Sequence, residues 1–87
     1  MSKSIGTTLK ARGKRYGTFA DGAAISQGLQ DVMRASPNWD ELSADKKEAL
    51  QIIQHKISRM LNGDPEYKDN WHDIVGYAKL VDDTLSE

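Results

Sequence analysis

The chain has 87 residues, 38% of them hydrophobic and 29% charged, with a net charge of −1 and no cysteine. These figures fit one soluble globular domain over residues 1–87 and exclude a disulfide framework, a cysteine-ligated metal and a general attraction to nucleic acid or anionic lipid. No apolar run approaches the ~20 residues of a membrane span, and so short a chain must draw stability from helix packing or self-association.

The opening segment "MSKSIGTTLK" lacks the apolar core of a secretory signal, so a cytoplasmic location is expected, with residues 1–4 flexible. Ile5, Leu9 and Ala11, ending at Gly13, predict a short first helix. Lys3, Lys10, Arg12, Lys14 and Arg15 face no acid within the first sixteen residues, a split that can mark a phosphate-binding arm or a charged helix end paired elsewhere. Ile25, Leu29, Val32 and Met33 keep the i, i+4, i+7, i+8 spacing of an amphipathic helix, which predicts a second helix from Phe19 to Ala35.

"SPNWDELS" is a connector, because Pro37 turns Ser36 away from helix and Asn38 and Asp40 are turn formers; Trp39 is expected to fold back onto the core. Ser43 is an N-cap, with Asp45 in the first turn complementing the helix dipole. Ala49, Leu50, Ile53, Ile57, Met60 and Leu61 give the clearest helical stripe, and "NGDP" ends it, with Gly63 suited to a left-handed cap and Pro65 beyond. Trp71, Ile74, Val75, Ala78, Val81 and Leu85 define a last helix from Tyr67 or Lys68 to about Thr84. No stretch alternates as a strand. The predicted fold is all-α, a small bundle of three longer helices plus a short N-terminal one, the last two helices folded as an antiparallel hairpin.

Lys56 falls inside the apolar arc of its helix, so its cation needs water, a shifted pKa or a carboxylate. Asp69, Asp73 and Tyr77 recur every four residues on the following helix, and a hairpin about Gly63 brings that side to Lys56 and Arg59, with Asp73 the best partner. Two readings compete: an ion-pair network that fixes helix register, or a site in which Lys56 and Arg59 meet phosphate while the carboxylates hold Mg²⁺ or orient the cations. His55 and His72 have no zinc-ligand spacing, "GKRYG" lacks the context of a P-loop, and "GDPEYKDN" lacks the acids of an EF-hand.

"RGKRYGTF", "HKISRMLNGDP" and "DNWHDIVGYAKLV" together resemble a family of small helical proteins of unknown function from tailed phages and prophages, with the approximate pattern RxxxYGxF, KIxR, DxWxDIxGYA, from about Leu9 to Leu85. The resemblance implies a phage or prophage origin, an all-α fold and no established activity. More distantly, the order of elements is similar to the all-α nucleoside triphosphate pyrophosphohydrolases, whose paired acids hold Mg²⁺. Here Asp45 and Glu48 form a DxxE and Asp69 and Asp73 a second pair, but Lys56 and Arg59 stand where a metal cage wants glutamate; they repel Mg²⁺ and attract phosphate.

The expected function is therefore a non-catalytic accessory protein that needs no cofactor, forms a homo-oligomer and binds a host or phage macromolecule. The alternative is nucleotide binding, or Mg²⁺-dependent hydrolysis, with Arg15, Tyr16, Lys56, Arg59, Asp69, Asp73 and Tyr77 as the ligand-binding set. A nucleic-acid binder led by Lys10, Arg12, Lys14 and Arg15 is disfavoured by the near-neutral total charge.

Overall fold

A computed structural model describes residues 17–86. The helix expected between Ile5 and Gly13 and the site residues Arg15 and Tyr16 lie outside the described residues. Those described are all-helical: α1 (Phe19–Ala35), a single 3₁₀ turn (Trp39–Glu41), α2 (Ala44–Asn62) and α3 (Lys68–Asp82), with no strand among them.

Local chemistry sets each boundary. Thr18 adopts an extended conformation and its hydroxyl accepts the Asp21 N–H at 3.3 Å, satisfying one of the donors that a helix start leaves open. At the other end of α1 the Ser36 hydroxyl donates to the Val32 carbonyl at 2.8 Å, and Pro37 follows. Ser43 stands at the N-cap of α2, but its hydroxyl caps no backbone N–H; it donates to the Asp45 carboxylate and accepts from Lys46 Nζ at 3.1 Å. That hydroxyl is the main reason the Asp45 carboxyl lies below the ordinary aspartate range.

Gly63 ends α2, its N–H donating to the Arg59 carbonyl at 2.9 Å, yet its φ of −138° is not the left-handed cap the sequence suggests. A left-handed glycine occurs instead at Gly17, with φ +75°, where a Cβ would overlap the backbone oxygen and side-chain amide of Asn62. Asn62 Nδ2 also donates to the Thr18 carbonyl at 2.9 Å. The approach to α1 is thereby tied to the last residue of α2. In the α2–α3 connection, Asp64 Oδ1 accepts the Glu66 N–H at 2.9 Å, and the Trp71 indole N–H donates to the Pro65 carbonyl at 2.8 Å.

α2 lies between α1 and α3 and packs along both, whereas α1 and α3 do not pack side by side. Ala49, near the start of α2, shares a groove with Ala78 and Val81 near the end of α3, and further along Lys56 meets Asp73. This placement reverses the expected roles of many side chains. Among the described residues the buried positions are Ala49 and four polar residues, Ser26, Gln54, Ser58 and Asn70. Leu50, Ile57 and Leu61 of the α2 stripe, Val32 of α1 and Trp71 and Val75 of α3 remain exposed.

The reason is geometric. A helix held between two neighbours buries its two flanks, and on α2 the flank toward α1 carries Gln54, whose amide donates to Ser26 Oγ at 2.7 Å. Ser58, one turn further, donates to the His55 carbonyl at 2.7 Å within its own helix. The middle of the apolar stripe then points out of the layer. Among the described residues, Gln54 Oε1 and Asn70 Nδ2 are buried without a hydrogen-bond partner.

Candidate functional site

Two features compete for a role, a charged cluster and an apolar groove, and neither Lys56 nor Asp73 lines the groove. The first is the charged cluster. Lys56 Nζ lies 3.1 Å from Asp73 Oδ2, the ammonium-bearing side chain 14% exposed and the carboxylate-bearing one 42%. The i, i+4 arrangement therefore brings Lys56 and Asp73 together from adjacent helices, as the sequence expects. Arg59, one turn beyond Lys56, is half-buried, and Tyr77, one turn beyond Asp73, is also half-buried. Asp69 is turned to a local partner, accepting the Tyr67 hydroxyl at 3.1 Å.

The cluster is thus a bridged pair at its centre, with Asp69 already satisfied by a tyrosine from the loop before α3. A carboxylate that neutralises the buried ammonium lowers the attraction that ammonium can exert on an incoming phosphate. Among the described residues, no group of three histidine, aspartate or glutamate side chains is placed to hold a metal ion. Asp45 and Glu48 stand at the exposed start of α2.

The second feature is apolar. A groove of about 720 Å³ runs between the first half of α2 and the second half of α3, lined by Ala49, Leu50 and Ile53 on one wall and by Ile74, Val75 and Leu85 on the other. A smaller groove of about 330 Å³ lies between α1 and α2, bounded by Met33, Trp39 and Ile57. Leu42, Leu50 and Ile53 line both, so the two grooves adjoin across the outward stripe of α2 and together form one apolar trough. Trp39 does fold back, as expected, but onto this trough.

Each residue turns an α-helix by about 100°. On that spacing Asp73 is a full step around α3 from Ile74, and Lys56 a similar step around α2 from Ile57. Lys56 and Asp73 line neither groove, so the ion pair lies outside the trough. The rim of the larger groove carries Lys46, Lys79 and Asp82, and Lys79 also bridges Asp83 at 2.9 Å along the helix. None of Leu42, Lys46, Lys79 and Asp82 stands out in the sequence as a site residue, because each reads as an ordinary connector or helix-surface position. The available signal is the breadth of the α2 stripe, which is wider than one neighbouring helix can cover.

Comparison of the chain with protein-family models, with characterised proteins and with solved structures finds no match. No helix among the described residues is long and apolar enough to cross a membrane.

Proposed function

We propose that this chain is a non-catalytic association protein, an accessory protein of the phage or prophage type that acts by oligomerising and by binding a host or phage macromolecule in the cytoplasm. Its frame on this reading is a short N-terminal helix followed by three longer ones, α2 and α3 forming an antiparallel hairpin. The observation that carries the proposal is the trough: large apolar side chains contributed by all three helices share one open side of a helical layer. Exposed apolar surface gathered in one patch marks an interaction site, whereas scattered apolar residues do not. The Lys56–Asp73 pair supports the same reading, because it ties α2 to α3 and stiffens the surface they present.

A second reading has one observation in its favour: a largely buried ammonium with Arg59 one turn away could meet a phosphate-containing ligand, with Asp69, Asp73 and Mg²⁺ completing a hydrolytic site. Thermal unfolding measured with inorganic phosphate and a panel of nucleoside triphosphates, with and without Mg²⁺, separates the two. The association reading predicts an unchanged Tm and no release of phosphate or pyrophosphate. A saturable rise in Tm that disappears in Lys56→Met would overturn it in favour of the ligand site.

A further inference from the structure

We infer that the trough is the self-association surface of this protein, and that its occupant is the same trough on a second copy, docked about a two-fold axis to close a two-layered helical core. This inference deepens the proposed function by naming the first partner, and it rests on that reading only in treating the apolar surface as an interface.

The argument starts from what one copy leaves undone. A helix with an apolar stripe must bury it against another element, and stable domains do so with two packed layers around a common core. Here α1, α2 and α3 make one layer. Its interhelical contacts bury small and polar groups, and a single hydrophobic residue, Ala49, is buried among the described residues. The apolar side chains that would fill a core line the open side instead: Leu50 and Ile57 on α2, Val75 on α3 and Leu85 just after α3 are all exposed. Among the described residues there is no second layer.

Three considerations select a second copy. The first is availability, since a chain whose own core is open needs its cover whenever it is folded, and the partner present in every such circumstance is another molecule of the same sequence. The second is shape: a shallow trough spread over three helices matches a facing helical layer. A small-molecule site would want a few convergent polar groups to orient its ligand, and the walls here are almost wholly aliphatic. The third is charge. The rim bears the ammonium of Lys46 and the carboxylate of Asp82, with Lys79 bridged to Asp83, so a rotated copy can set the carboxylate of Asp82 against the ammonium of Lys46 on both sides. The chain's own basic segment, residues 1–16, is a poorer occupant on composition: it carries five cations, no acid and only Ile5 and Leu9 as large aliphatic residues.

The test uses the full chain in sedimentation equilibrium and in thermal unfolding over a range of concentrations. The expected mass is twice 9.7 kDa, with a Tm that rises with concentration. Val75→Glu changes a side chain that is already 64% exposed in one copy, so it spares the monomer's packing while placing two carboxylates in the two-fold contact; it should weaken self-association by about tenfold or more. Leu80→Glu, 66% exposed and on the opposite flank of α3, serves as the control and should leave the mass unchanged. A folded monomer at all concentrations would overturn the inference, as would a dimer weakened equally by both substitutions. The monomer result would still leave the trough open to a different macromolecule, so failure here and failure of the association reading remain distinguishable.

Discussion

Asp73 and Lys56 do not stand equally in their ion pair. The lysine side chain is 14% exposed and the aspartate 42%, so only the cation depends on its partner for solvation. Asp73→Ala leaves a largely buried ammonium uncompensated and is expected to cost about 2 kcal/mol, below the figure for a fully buried pair because Asp73 keeps contact with water. Lys56→Met removes the charge that needs compensation and puts an apolar chain of similar length in its place, with an expected loss under about 1 kcal/mol. Urea unfolding of the two variants checks this, and losses of equal size would show that burial of the lysine is not what sets the energetics. This pair was legible in the sequence, since Lys56 interrupts an apolar arc and Asp73 recurs at helical spacing on the next segment. Asp69 was not, because its partner Tyr67 belongs to a loop whose path no periodicity reveals. The overlap that a side chain at Gly17 would make with Asn62, more than forty positions away, follows from the packing alone.

At the level of helices, boundaries were more legible than partners. The span Phe19–Ala35 and the end of α2 at Asn62 follow from the apolar spacing and from Pro37, Gly63 and Pro65, all local signals. The interface chemistry was not legible, because hydrophobic periodicity identifies an apolar side and is silent about which neighbour, if any, covers it. In α1 and α2 the contact runs through Ser26 and Gln54, joined at 2.7 Å in a buried setting. Ser26→Ala strands the Gln54 amide and should cost about 1–2 kcal/mol, whereas Ser26→Ala combined with Gln54→Leu removes both polar partners and should recover much of that loss. A double-mutant cycle measures the coupling; strictly additive losses would mean that the hydrogen bond contributes nothing to holding α1 on α2.

For the whole molecule, the sequence points to an all-α bundle whose stripes meet inside; the described residues are all-helical, with α2 packed against both α1 and α3 and with Leu50, Ile57 and Val75 left exposed. Both arrangements satisfy the same pattern of Ile25, Leu29, Leu50, Ile53 and Ile74, so composition and spacing cannot choose between them; the choice lies in how α1 and α3 are placed about α2. The described residues have little apolar burial to set against the entropy of ordering the chain, and on the proposed pairing two troughs together make up a core. Isotope-filtered nuclear Overhauser spectroscopy on an equal mixture of labelled and unlabelled full chains reads that contact most directly. The account predicts intermolecular cross-peaks from the methyl groups of Leu50, Ile53 and Val75, and none from Leu80. Intermolecular contacts confined to Leu80, or an absence of any between copies at concentrations where the chain is folded, would contradict it.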